Sequence, residues 1–351
     1  LRIFLTIFAV MAIFATANSQ TLFIENFDYP AGDSIGAHGW IHHSGSVNTI
    51  KVVSPGLTYT GYPLSGIGNA ARLSNNGNDN YRQFTNVGDS ITSGSLYASM
   101  MVKVDSVKST GDYFFDFISP TSTTNFYARV FVKDSLGGLC FGVSKYSINS
   151  TIFPAWGSTS FSYTGTYLVV VKYKFNTGST TDDEVSLFVF ESPNFPTTEP
   201  TTPYAGPLTT TQNDAGSFGR IQLRQGSASI APTLVVDGIK IARSWTSLVS
   251  SITRNEITAK NFELSQNYPN PFNPVTNIRF ALPTNGFATL KVYDILGNEV
   301  NTLVNAQMNQ GVYTVNMNGT KLSSGTYMCK LTFKSVNGTI YNDIMKMTLL
   351  K

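Results

Sequence analysis

Tyr268-Pro269-Asn270-Pro271-Phe272-Asn273-Pro274 divides this chain in two. Three prolines within six residues cannot lie inside a helix or a central strand, and each pushes the residue before it towards extended geometry. The stretch is a stiff boundary with a new domain behind it. Beyond it, Ile278, Phe280 and Leu282 share one face of an alternating segment. Ala288 to Asp294 alternates too and turns at Gly297-Asn298. Val312 to Met317 is a third strand; Tyr327, Cys329, Leu331 and Phe333 line one face of a fourth; Ile340 to Leu350 is a last. Period-two alternation with one apolar face marks half-buried antiparallel strands. Several in under ninety residues predict a small immunoglobulin-like sandwich.

Four motifs in this segment carry a resemblance. They are Tyr268-Pro269-Asn270-Pro271, Val292-Tyr293-Asp294-Ile295-Leu296-Gly297, Leu322-Ser323-Ser324-Gly325-Thr326-Tyr327 and the basic-apolar end Lys346-Met347-Thr348-Leu349-Leu350-Lys351. In order and spacing, residues 267–351 resemble the type A C-terminal sorting domain of the bacterial type IX secretion system. The resemblance implies recognition by an outer-membrane translocon through Tyr268, Pro269, Asn270, Pro271, Asp294, Gly297, Gly325, Tyr327, Lys346 and Lys351. It also implies removal of the tail, with the cargo attached to surface lipopolysaccharide or released.

The other end agrees. Ile3 to Ala15 is apolar except for Thr6 and follows Arg2. That length suits a signal-peptide core and is too short to span a bilayer. Cleavage fits Ala15-Thr16-Ala17 or a cut after Ser19, so residues 1–19 are read as a signal peptide. The rest divides into cargo at 20–249, a linker at 250–266 and the sorting domain. No other apolar run spans a membrane, so the mature chain is expected to be soluble, reaching the outer surface or the medium through the periplasm.

Charged residues make up only 13% of the chain and aromatics another 13%. That is the balance of an extracellular β-protein rather than a disordered chain. Residues 262–351 hold seven basic and four acidic side chains, a net of +3, whereas residues 20–249 hold fourteen and sixteen, a net of −2. Such a cargo has no electrostatic footprint for nucleic acid. Cys140 and Cys329 fall in different modules, one of them removable, and are read as separate thiols although the compartment permits a disulfide.

The cargo reads as about a dozen strands with turn signals between them and no amphipathic helix. Val185 to Phe190 is apolar on both faces and is placed centrally; Leu234 to Ala242 closes the domain. The fold class is therefore all-β, a large two-sheet jelly-roll sandwich followed by the small Ig-like one. A pair of smaller sandwiches competes. The opening Glu25-Asn26-Phe27-Asp28-Tyr29-Pro30 and the closing Val235-Val236-Asp237-Gly238-Ile239-Lys240-Ile241-Ala242 resemble the concanavalin-like, laminin-G-like jelly roll.

The resemblance implies a glycan site on the concave sheet or on rim loops, where aromatic rings stack on sugars and polar groups fix hydroxyls. The candidate wall is Tyr127, Arg129, Phe131 and Lys133, beside Arg220, Gln222 and Arg224. Trp40 and Trp156, next to glycines, are further candidates. For calcium, hard oxygens gather at Asp182, Asp183 and Glu184, and at Asn76, Asn78 and Asp79. Adjacent His42 and His43 point oppositely in a strand, and His38 has no helix to align it with them, so zinc is not expected. No paired carboxylates, nucleophile elbow or triad is visible. The expectation is a non-enzymatic glycan-binding or adhesive surface protein. The alternatives are a self-assembling structural protein and a carbohydrate-active enzyme with an unrecognised site.

Overall fold

The computed structural model describes residues 21–85, 89–146, 153–158, 160–249, 252–256 and 261–351. The proposed signal peptide lies outside them. The chain is all-β, built of packed sheets. One sheet of the cargo runs, in spatial order, Ala155–Trp156, Gly138–Ser144, Phe126–Ser135, Asp112–Ile118, Arg220–Leu223, Asp79–Gln83, Ile41–Ser44. The facing sheet runs Ala205–Leu208, Glu184–Glu191, Tyr167–Lys174, Ser95–Ser106, Thr233–Ala242, Thr21–Glu25. Between them lies an aromatic core that includes Phe27, Trp40, Phe84, Phe115, Phe117, Phe141 and Tyr173.

The facing sheet is buried on both sides at its middle strands; Glu184–Glu191, expected at the centre, lies beside the edge strand Ala205–Leu208, and both carry exposed residues. In Thr233–Ala242, Leu234, Val236, Ile239 and Ile241 point into the inter-sheet core, while Asp237 and Lys240 are equally inaccessible. Its outer side is roofed by the 54–68 loop, which brings Tyr59, Tyr62 and Leu64, and by a short helix, Trp245–Val249, which brings Trp245 and Leu248. Polar pins hold the roof down. Leu57 N donates to Asp237 Oδ2 (2.7 Å), and the Tyr62 hydroxyl donates to Gly238 O (2.6 Å). The helix departs from the helix-free reading: at five residues it is too short to show a period, and it forms because Trp245 and Leu248 have a surface to cover.

The C-terminal sandwich packs a four-stranded sheet, Ile252–Glu256, Gly311–Asn318, Val275–Leu282 and Glu263–Leu264, on Glu299–Met308, Gly286–Tyr293, Gly325–Ser335 and Ile340–Leu349. Two corrections arise. The stretch read as a linker, 250–266, contributes two strands to this sandwich. Glu299–Met308 was not seen in the sequence because Asn301, Asn305 and Gln307 dilute it, yet Thr302, Val304, Ala306 and Met308 form its buried face. Glu299–Met308 also meets the cargo strand Thr21–Glu25 through one parallel pair, Phe23 with Gln307.

Lys240 is fully buried, its Nζ donating to Leu248 O at 3.3 Å, and burial lowers its pKa to about 7. The unfolded chain therefore binds this proton more tightly, and stability from this residue rises as pH climbs from about 7 towards the free-lysine value. Lys240→Met should stabilise the protein at pH 7 by about 1–4 kcal/mol and flatten that rise. Urea unfolding at pH 7 and pH 9 checks both; an unchanged slope would refute the assignment.

Candidate functional site

The outward face of the seven-stranded sheet collects the cargo's unusual side chains. A bulge in Phe126–Ser135 decides which ones. Ala128 adopts φ 50°, so Tyr127 and Ala128 both turn into the core, and alternation resumes with Val130 and Val132 inward and Arg129, Phe131 and Lys133 outward. Tyr127 is therefore a correction to the proposed wall. It is 7% exposed, stacks on Tyr146 at 4.6 Å and donates to Asp214 O. Trp40 is a second correction: at 1% exposure it plugs the core and donates from Nε1 to Glu25 Oε2 at 3.1 Å. Removing such a tryptophan costs about 3–5 kcal/mol, a packing role.

The remaining candidates come together. Cations and rings interleave along the face. The Arg129 guanidinium lies 4.7 Å from the Tyr113 ring centre and Arg224 4.1 Å from the same ring. Arg220 lies 4.6 Å from Tyr81, and Lys133 Nζ 4.2 Å from Trp156. Phe131 is covered by Tyr113 and Trp156. His43 packs edge-on against both Tyr81 and Phe126, at 6.2 and 5.4 Å. His43 and Phe126 belong to strands separated by three others. Four strand spacings span about 19 Å in a flat sheet, so this sheet curls and the face is concave.

Asp116 and Gln222 form the floor, on directly paired positions of neighbouring strands. Asp116 is wholly inaccessible, and neither carboxylate oxygen has a hydrogen-bond partner among the described residues; the same holds for Gln222 Oε1. Burial raises the Asp116 pKa well above the usual carboxylate range, outweighing the opposite pull of Arg129 and Arg224. Burial likewise holds His43 below its ordinary value and pushes the Tyr113 hydroxyl up to about 12. Arg224 donates to Asp112 Oδ2 at 2.7 Å, and Arg220 Nε to Ser119 O at 2.9 Å. Tyr81, Tyr113, Phe126 and His43 were not assigned to the site from sequence. In the sequence Asp116 is a single acid in an aromatic strand, and only its register opposite Gln222 sets it apart.

The calcium candidates change composition. Asp182 and Asp183 do cluster, but with Asp214 rather than Glu184. Glu184 turns away to Lys174 and Asn176 because adjacent strand residues face oppositely. The cluster contains its own cation: the Lys145 ammonium, with no exposed surface, pairs with Asp214 and donates to Thr181 O. At the other loop, Asp79 already accepts from Ser44 Oγ and Gln225 N, and Asn76 O accepts from Asn48. A different notch gathers hard oxygens. A side chain on Gly56 would meet Asp237 Oδ2, Gly68 O and Asn69 O within 3.2 Å, and one on Gly68 would meet Asn26 O and Asp28 Oδ1 within 2.4 Å. Those are ligand types that calcium takes. The histidines are engaged separately: His38 with Asp33 and Tyr29, and His42 with Gly45 O.

The sorting motifs converge at one end of the small sandwich. The Asp294 carboxylate accepts from Leu296 N and Asn298 N, and Gly297 supplies the φ of 84° that closes this turn. The Phe272 strip lies along Leu349, with Phe272 N donating to Thr348 O and Leu350 N to Phe272 O. Asn270 Oδ1 accepts from Thr348 N, while Lys346 O accepts from Gln266. Tyr327 donates to Ser323 O, and Lys351 ties back to Ser324 and Thr320. Tyr268 remains 81% exposed beside these contacts. Cys140 and Cys329 are free and buried, and burial pushes the Cys329 thiol up to about 12.

Because folding raises the Asp116 pKa, the stability this carboxyl confers is present at acid pH and is lost as pH rises through the folded value. Asp116→Asn should therefore stabilise the protein at pH 7 by about 1–3 kcal/mol and leave pH 4 stability nearly unchanged. Denaturant titrations at the two pH values test this.

No curated protein matches the chain. Among solved structures, it is similar to domain 4 of AbnA, a GH43 extracellular arabinanase from Geobacillus stearothermophilus, at 12% identity and TM-score 0.36, over 66% of this chain and 99% of that one. It is similar to alginate lyase Aly36B at 15% and 0.37, over 64% and 96%, and to the Emp47p carbohydrate recognition domain at 9% and 0.32, over 66% and 96%. Likenesses this distant say nothing about function. One match does carry a conclusion: residues 266–344, under a quarter of the chain, match the secretion system C-terminal sorting domain.

Proposed function

We propose that this chain is type IX secretion cargo, delivered to the cell surface or the medium, whose concave sheet binds glycan without catalysis. The sorting tail supports the export half. No helix among the described residues is long and apolar enough to cross a membrane. The observation that carries the binding half is the floor of the concave face. A buried carboxyl and a buried amide oxygen, both without partners among the described residues, lie beneath half-buried rings. Leaving buried polar atoms unpaired costs about 1–3 kcal/mol each, so two orphaned oxygens on one residue call for an explanation. Above that floor, the half-buried edges of Tyr81, Tyr113 and Trp156 and the terminal N–H groups of Arg129, which have no acceptor among the described residues, offer a sugar both apolar and polar contacts.

The raised pKa of Asp116 favours a second reading. A carboxyl whose pKa is raised by burial is what a general acid requires, which keeps a carbohydrate-active enzyme as the alternative. The strand's other acid, Asp112, is held by Arg224 and Tyr113 N and so does not complete a pair. A glycan-array screen of the mature chain, with and without calcium, decides between the readings when paired with assays for reducing ends and unsaturated products. Binding without turnover is expected, and Tyr113→Ala should weaken it at least tenfold (about 1.4 kcal/mol) while leaving the fold intact. Turnover abolished by Asp116→Asn would establish the enzyme instead.

The export half has a separate test. Truncation at Tyr268 should leave the cargo in the periplasm. Normal surface display of the truncated chain would refute it.

A further inference from the structure

We propose that the concave face takes an acidic polysaccharide, gripping the carboxylates or sulfates of an extended chain; this rests on the glycan-binding reading and adds the ligand's charge. The cargo carries a net of −2, yet it gathers four of its fourteen basic side chains, Arg129, Lys133, Arg220 and Arg224, on one sheet face. The nearby acids do not balance them. Asp112 is consumed by Arg224, Asp79 is held by Ser44 and Gln225, and Asp116 is buried beneath the rings.

Two of the cations have donors to spare. Arg220 is occupied by Ser119 O and Ser122 O, and Arg224 by Asp112 and Tyr113 O. Arg129, by contrast, donates only from Nε, to Phe126 O at 3.2 Å; neither terminal amino group has an acceptor among the described residues. Lys133 Nζ likewise has no acceptor among them and rests over Trp156. A guanidinium stacked on a ring keeps its N–H edge directed outward, in a fork that matches a carboxylate or a sulfate. An ammonium beside an indole face offers a second anchor of the same sign.

Spacing sets the ligand's size. Arg129 and Lys133 lie four residues apart on one face of one strand, which places their backbones about 13 Å apart. A single sugar cannot reach both; an oligomer with charges along its length can. Tyr113 and Trp156, which cover Phe131, hold the two anchors apart along the strand.

The test is affinity electrophoresis and calorimetry of the mature full-length chain. The probes are polygalacturonate, alginate, chondroitin sulfate, neutral laminarin, monomeric galacturonate and poly-L-glutamate, each at low and high NaCl. At least one acidic polysaccharide should bind tenfold or more tighter than laminarin and weaken tenfold or more at high salt. Arg129→Gln and Lys133→Gln should each lower that affinity about tenfold without altering the melting temperature. Which polymer binds separates carboxylate from sulfate recognition. Laminarin binding as tightly as the acidic polymers would overturn the proposal and leave glycan binding intact. Equal affinity for poly-L-glutamate, or for monomeric galacturonate, would overturn the oligosaccharide grip. Silence towards every polymer would overturn both readings together.

Discussion

The middle strands of one cargo sheet are buried on both faces, which leaves the opposite sheet as the broad open face. The strand Thr233–Ala242 shows no exposed residue along its length, and Ser95–Ser106 is buried through its first two-thirds. Sheets of that kind lose the alternation that separates core from solvent. Here the second cover is a loop, a short helix and their aromatics rather than another sheet. Loops rarely make good roofs, because their backbone groups want water. This one succeeds because Asp237, Ser99 and Gly238 O supply hydrogen bonds from beneath. The open surface that remains is the curled seven-stranded face.

The same economy of polar groups separates structure from function. Most buried charges are matched. Glu25 accepts from Phe27 N, Tyr29 and Trp40, which holds the left-handed Phe27 turn at the end of the first strand. Lys145 sits among three aspartates, and breaking such a buried pair costs about 3–5 kcal/mol. Among the described residues Asp116 is singular in having both carboxylate oxygens buried and unmatched; single unmatched oxygens occur at Gln222 beside it and at Asn26, Asp28, Asn78 and Asp182 elsewhere.

Some elements were legible in the chain itself. Strand alternation in Val275–Leu282, Gly286–Tyr293 and Gly325–Ser335 is regular, and the structure retains it residue by residue. Arg129, Phe131 and Lys133 alternate with valines and do face outward together. Tyr127 follows the same pattern on paper yet points inward, because one residue with positive φ shifts the register. Glu184 reads as part of an acidic run, but a strand sends neighbours to opposite faces, and Asp214, more than thirty residues away, takes its place.

The proline stretch does not open the small sandwich, since Ile252–Glu256 and Glu263–Leu264 ahead of it already pair into that fold. By itself the sequence determined the all-β class, the secretion tail and the outward trio Arg129, Phe131 and Lys133. Each of these is a property of local period or of a short motif, set by backbone sterics within a few residues. Tertiary structure alone decided that Asp116 faces Gln222, that Tyr113 lies between two arginines, and that Lys145 occupies the aspartate cluster. Those contacts join residues far apart in the chain. They depend on sheet order and curvature, which no local pattern encodes, because pairing partners are chosen by the burial of the whole core.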